Sequence, residues 1–176
     1  MDGPSAIASV ADMNNDNLPD LIVQTGDVVT PSTITILLAD AAGNYATNGQ
    51  VNSSVFFPFP CVPADLNGDN KMDLVCASST PGGGVANVSV YLGNGDGTLQ
   101  SPISNSLGYI GVPNALFDVI AVGDFNNDRH PDLIVTSALR VHMPVTASLC
   151  LATEPDTSPC TRFRATCILA GLPWRT

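Results

Sequence analysis

The chain is nearly empty of the residues that build helices. Among its 176 residues there is one Glu (Glu154) and one Lys (Lys71), which argues against long amphipathic helices. Only two histidines occur, His130 and His142, and neither has the sequence neighbours of a zinc site or a catalytic triad. No stretch approaches the ~18 unbroken apolar residues of a membrane-crossing helix, so membrane insertion is not expected. The first residues show neither the basic start nor the apolar core of a signal peptide. The expectation is a fragment whose own start is missing. No glycine-rich phosphate loop follows a strand, and Gly82, Gly83 and Gly84 read as a turn. Basic residues are scarce as well: residues 1–139 carry 14 Asp against Lys71 and Arg129. A body this acidic repels nucleic acid and anionic lipid, so neither is an expected partner.

What the chain has in quantity is Asp, Asn, turn residues and β-branched side chains. With 15 Gly, 14 Pro and abundant Val, Ile and Thr, short strands separated by turns are the expected outcome. Nine of the 15 Asp fall in one pattern, Asp-x-Asn-x-Asp-x-x-x-Asp running into an apolar stretch, which occurs three times. The copies begin at Asp12, Asp65 and Asp124, spaced 53 and 59 residues apart. A repeat of this period marks a repeat architecture. Oxygen donors at positions 1, 3, 5 and 9 of a tight loop are what a hard divalent cation requires.

Each unit reads in the same order. A short apolar strand comes first (6–11, 61–64 and 118–123), followed by the loop and then a second strand (20–25, 73–78 and 132–137). Runs of apolar and β-branched residues bounded by turn signals suit strands buried on both faces. A third strand at 33–40 and 87–94 alternates polar and apolar residues, as a half-exposed strand does. A Gly-containing turn then leads to a fourth strand near 45–47 or 98–100. The predicted fold class is all-β: a partial β-propeller made of four-stranded antiparallel blades. Blade 1 spans 5–60, blade 2 spans 61–117, and 118–139 start blade 3. An EF-hand reading fails, because position 12 of the loops is Val23, Cys76 and Val135 where that motif places a bidentate Glu. The residues that follow also lack a helical period.

The three loops, each followed by Asp-Leu-Ile or Asp-Leu-Val, and the hairpin YLGNGDGTLQSP at 91–102 resemble the FG-GAP/VCBS repeat family of integrin-α-like calcium-binding β-propeller repeats. The resemblance covers residues ~5–139. It departs at Tyr91 and Leu99, where the family hairpin has leucine and phenylalanine. It implies calcium as cofactor, a location outside the cell (secreted or at the cell surface), and a larger propeller of which this chain holds about two and a half blades.

Up to three ions are expected, one per loop. The first loop offers the side chains of Asp12, Asn14, Asp16 and Asp20 with the Leu18 carbonyl. The second offers Asp65, Asn67, Asp69 and Asp73 with the Lys71 carbonyl, and the third Asp124, Asn126, Asp128 and Asp132 with the His130 carbonyl. Position 7 varies freely because only its carbonyl is used. Calcium takes six to eight such oxygens, whereas magnesium prefers fewer carboxylates and more water. The competing reading is a metal-free Asx turn, since Asp and Asn also bond their own backbone. Position 6 must turn through a left-handed conformation; the family usually has Gly there, and this chain has Asn17, Asn70 and Arg129. Asn tolerates that geometry and Arg does not, so the third site is expected to be the weakest.

Cys61 and Cys76 align with alternating apolar positions of the other repeats and are expected to be small buried hydrophobes. A disulfide between them stays open if their strands are neighbours. Asn52 and Asn87 match the glycosylation sequon. After Leu139 the repeat pattern stops, and residues 140–176 form an aberrant tail in which Arg and Cys become common. One reading is translation out of frame: a two-base shift through permissible codons yields a Pro-Gly-Asn-Gly hairpin like the one that is due. The other is a disordered extension. Cys150, Cys160, Cys167 and Trp174 are not expected to form a site. The leading functional expectation is a non-enzymatic, calcium-binding extracellular scaffold for adhesion, protein or carbohydrate binding, with a protein or glycan as the unknown ligand. Residues 26–32 and 79–86, which vary between repeats, are the candidates for recognition. The alternative is a non-catalytic propeller part of a secreted polymer-degrading enzyme.

Overall fold

The second strand of each unit begins at the aspartate in position 9 of its loop. Those strands are Asp20–Gly26, Asp73–Ser79 and Asp132–Ala138, and each becomes the second of four strands in a sheet. The computed structural model describes residues 5–26, 32–52, 61–79, 85–109, 116–125, 127, 129, 131–138, 146–150 and 168–169. The strands are β1 (Ser5–Ala11), β2 (Asp20–Gly26), β3 (Thr33–Ala39), β4 (Tyr45–Asn52), β5 (Val62–Ala64) and β6 (Asp73–Ser79). The chain continues with β7 (Val85–Tyr91), β8 (Ile103–Tyr109), β9 (Leu116–Gly123), β10 (Asp132–Ala138), β11 (Thr146–Cys150) and β12 (Ile168–Leu169). They form three four-stranded antiparallel sheets, each pairing its strands in chain order.

The register explains which residues are buried. In the first sheet Ser9, Ile22 and Ile36 are mutual partners, as are Val10, Leu21 and Leu37 on the opposite face. Ile22, Gln24, Ile34 and Ile36 face the second sheet and are at most 2% exposed. They meet Cys61, Leu74, Cys76 and Tyr91 of that sheet in one apolar cluster that also takes in Met13. The other face of the second sheet, with Val75, Ala77, Val88 and Val90, packs on Leu133 and Val135 of the third, together with Leu66. The second sheet is therefore covered on both sides, and Leu74 through Ala77 are buried without a break. The expectation of a strand buried on both faces holds for β6. It does not hold for β2, whose burial alternates because no sheet among the described residues packs on its outer face. β1 lies beside β5, and β5 and β6 lie beside β9, so the first strands of successive sheets are drawn together.

Two expectations need adjustment. The fourth strand of the second unit starts at Ile103 rather than near residue 98. Residues 93–100 are taken up by a tight hairpin closed by the Gly93–Leu99 bridge and by the Gln100 amide donating to the Leu92 carbonyl at 2.8 Å. Beyond residue 139, where the repeat was expected to stop, β11 pairs with β10, and β12 with β11. The rest of that tail lies outside the described residues, as do 27–31 and 80–84 of the two candidate recognition segments.

Cys61 and Cys76 form a disulfide, which corrects their reading as two separate apolar side chains. The physical reason is register. β5 pairs Val62 with Val75, and one further step places the two cysteines opposite each other with Cα atoms 4.4 Å apart, inside the range a disulfide spans. Both are buried against the first sheet, where Gln24 Oε1 lies 3.5 Å from the Cys61 sulfur. The Gln24 side-chain amide nitrogen has no partner among the described residues.

Candidate metal centre

Each loop joins the first strand of a sheet to the second, and its oxygens fold back over its own turn. In the first loop Asp12 accepts from the backbone amides of Asp16 at 3.1 Å and Asn17 at 2.7 Å. Asn14 Oδ1 accepts from the Asp16 amide at 3.2 Å, and its Nδ2 donates to the Asp16 carboxylate at 2.8 Å. Asp16 accepts from the Leu18 amide at 2.8 Å. The second loop repeats this closely. Asp65 accepts from Gly68 at 2.7 Å, Asp69 at 3.2 Å and Asn70 at 2.9 Å. Asn67 accepts from the Asp69 amide at 2.9 Å, and Asp69 from the Lys71 amide at 3.0 Å. In the third loop Asp124 accepts from the Arg129 amide at 2.8 Å. Asn126, Asp128 and His130 lie outside the described residues.

The backbone achieves this by two left-handed residues per loop. Position 4 is Asn15, Gly68 and Asn127 (φ 61°, 78° and 63°), and position 6 is Asn17, Asn70 and Arg129 (φ 67°, 62° and 71°). Position 9 behaves differently. Asp20, Asp73 and Asp132 are fully buried. Asp20 accepts from the amides of Met13 at 2.7 Å and Ala39 at 2.9 Å. Asp73 accepts from Leu66 at 3.0 Å and Gly93 at 2.8 Å, and Asp132 from Phe125 at 2.9 Å. The position 9 carboxylate thus pins position 2 of its own loop and, in the first two units, the end of the third strand, at its last residue Ala39 or two residues past it at Gly93. Gly93 suits that spot because a Cβ there would collide with the Met72 carbonyl.

The FG-GAP-like repeat matches the chain at residues 12–76 and again at 65–135, together well over half its length. The chain belongs to the FG-GAP-like repeat family. Neither a curated protein nor a solved structure matches it. The matched units run from one loop to the next, so each FG-GAP-like repeat ends on the second strand of the following sheet, just past the next loop.

Within the FG-GAP-like repeats, the structure gathers positions 1, 3 and 5 at each of the two fully described loops. Among the described residues no three Asp, Glu, His or Cys side chains converge as a ready-made ion cage. Their oxygens are engaged by backbone amides instead. The donor set (carboxylates, an amide oxygen and a carbonyl, with no sulfur) still fits a hard cation rather than zinc. Burial pushes the Asp73 carboxyl above the ordinary aspartate range, and the nearby Asp69 and Asp65 charges add to this against the amide hydrogen bonds from Gly93 and Leu66. Sequence reasoning missed the pinning role of position 9. A signal was present: position 2 is large and apolar in every loop (Met13, Leu66, Phe125), and in the first two it turns into the core.

Successive repeats are also tied at these ends. The Asn15 side chain donates to the Asn70 carbonyl at 3.3 Å, the Gly97 amide to the Met13 carbonyl at 3.1 Å, and the Asn48 side chain to the Asp96 carbonyl at 2.7 Å. Two exposed carboxylates cap the hairpins. Asp40 accepts from Ala42 and Asn44, and Asp96 from the amide and hydroxyl of Thr98. Hydrogen bonds from Asn44 and from Thr98, respectively, hold them below the ordinary value of 3.8. A depressed carboxylate stabilises the fold above its unfolded pKa and ceases to do so as pH falls through its folded pKa. The amides of Ala42, Asn44 and Thr98 should therefore lose hydrogen-exchange protection only in acid below about pH 3.8.

Arg129 occupies a backbone region that costs a side-chain-bearing L-residue about 1–2 kcal/mol, while its counterparts are Asn. Arg129→Asn should stabilise the protein by about 1 kcal/mol in denaturant titration. No gain would show that this loop relaxes the strain elsewhere.

Proposed function

We propose that the chain is a calcium-stabilised extracellular β-propeller module that presents its outer loops to a protein or glycan ligand. The observation that carries this reading is the closely repeated hydrogen bonding of positions 1, 3 and 5 in the first two loops, which folds carboxylate and amide oxygens back over one turn at the junction of two strands. Asp12, Asn14 and Asp16, and likewise Asp65, Asn67 and Asp69, would hold the ion. Asp124, Asn126 and Asp128 would do so in the third repeat, with the carbonyls of Leu18, Lys71 and His130 completing each set. Asp20, Asp73 and Asp132 would anchor each loop to its sheet and lend the ion charge from behind. Bound calcium supplies positive charge that offsets the mutual repulsion of the loop carboxylates. The Cys61–Cys76 disulfide supports an oxidising compartment, where calcium near millimolar levels fills even weak sites.

Calorimetric titration with calcium tests this. The wild type is expected to bind up to three ions, and Asp12→Ala, Asp65→Ala and Asp124→Ala to lose one each, with Asp124→Ala removing the weakest. Each filled site should add about 1 kcal/mol of stability at millimolar calcium. Absence of any heat or stabilisation, with chelator and calcium giving the same unfolding curve, would overturn the reading.

A further inference from the structure

The second loop is joined to its sheet differently from the other two. β1 meets β2 over seven register pairs and β9 meets β10 over seven, whereas β5 meets β6 over only three. One of the three β5 residues is Pro63, which brings no N–H to the sheet. The residue before β5, Cys61, gives its carbonyl to the Ser9 hydroxyl of the first sheet at 2.7 Å. At the equivalent step the first sheet carries an ordinary ladder pair, Ala8 with Val23; the second carries the Cys61–Cys76 bond. That bond brackets the turn, four residues before Asp65 and three after Asp73. Breaking it leaves a folded state available. Both cysteines are buried against the first sheet, and Gln24 Oε1, 3.5 Å from the Cys61 sulfur, is placed to accept from a Cys61 thiol. The cluster of Met13, Ile22, Leu74 and Tyr91 keeps its apolar packing, and the segment set loose is the short β5 ladder with its loop.

We infer that the Cys61–Cys76 disulfide is the clamp that preorganises the second loop, so that redox state sets the order and the ion affinity of this one loop. The affinity half rests on the calcium reading above; the order half does not. A dithiol reductant supplies the two electrons and two protons: the sulfur–sulfur bond breaks to two thiols, and the reductant closes into its own disulfide. A site that must be ordered before it binds has its affinity lowered in proportion to the fraction of time it is ordered. The first and third loops sit on longer ladders without such a bond and do not respond.

Hydrogen exchange on the full chain in chelator, before and after reduction confirmed by mass spectrometry, tests the clamp without any ion. The amides of Gly68, Asp69, Asn70 and Lys71, which donate to side chains of the second loop, should exchange about tenfold faster once the bond is broken. Those of Asp16, Asn17 and Leu18 in the first loop should keep their rates. The Cys61→Ala/Cys76→Ala variant should match the reduced chain. Calcium titration should show one site weakened about fivefold or more by reduction and the others unchanged. Unaltered exchange in the second loop would sink the clamp. Equal acceleration in both loops would sink it too, because that pattern belongs to a link holding the whole fold. A second loop that loosens alone while calcium affinities stay the same would refute the affinity half. If neither redox state binds calcium, the ion reading and the affinity half fall together, and the exchange comparison alone decides the clamp.

Discussion

Asp73→Ala is expected to cost about 3–5 kcal/mol in urea or thermal unfolding carried out in chelator. The carboxylate is fully buried and accepts the amides of Leu66 and Gly93. Removing it strands two buried donors, at about 1–3 kcal/mol each, and opens a small void. Against a total stability of about 5–15 kcal/mol, that is a large fraction of what holds the fold together. Asp73→Asn should fall between, since it keeps one acceptor and aims a donor at the other amide. Asp69→Ala, at an exposed turn position, should cost under about 1 kcal/mol in the same buffer. If position 9 served only as an ion ligand, the two alanine variants would be equally mild in chelator. Equal losses below about 1 kcal/mol would therefore refute the pin.

Removing the disulfide with the Cys61→Ala/Cys76→Ala pair is expected to cost about 3 kcal/mol. The bond closes a segment of 15 residues that contains the whole second loop, and a loop of that length is worth about 3 kcal/mol through the unfolded chain. The alanines also leave space in the cluster shared with Met13, Ile22 and Tyr91. Unfolding curves of the wild type with and without a dithiol reductant check the result independently, provided mass spectrometry confirms reduction. Identical curves would mean that neighbouring sheets, rather than the covalent link, hold β5 against β6.

Much of this architecture was legible because local chemistry specified it. Position 6 was expected to turn through a left-handed conformation, and the loops turn there at Asn17, Asn70 and even Arg129, with a second left-handed residue at position 4 that was not anticipated. The apolar runs opened by Asp20, Asp73 and Asp132 became the second strands. What stayed hidden depends on partners distant in sequence. Asp20 and Asp73 reach amides 19 and 20 residues away, and no spacing rule within a nine-residue motif announces that. The cysteine pair was visible as two apolar sites in aligned repeats, but their joining required the antiparallel register of strands only three and seven residues long. The displaced start of β8 has a similar origin. The sequence signals a glycine turn, whereas the Gly93–Leu99 bridge tightens it and pushes the strand onward.

Every strand hydrogen-bonds only to the strands immediately before and after it in the chain. No segment must therefore wait for a complement synthesised much later, and loop-closure entropy is met in small steps. During synthesis at the ribosome the strands of one sheet can pair before those of the next have emerged, and the Ile22 and Ile34 surface of the first is then the template on which the second condenses.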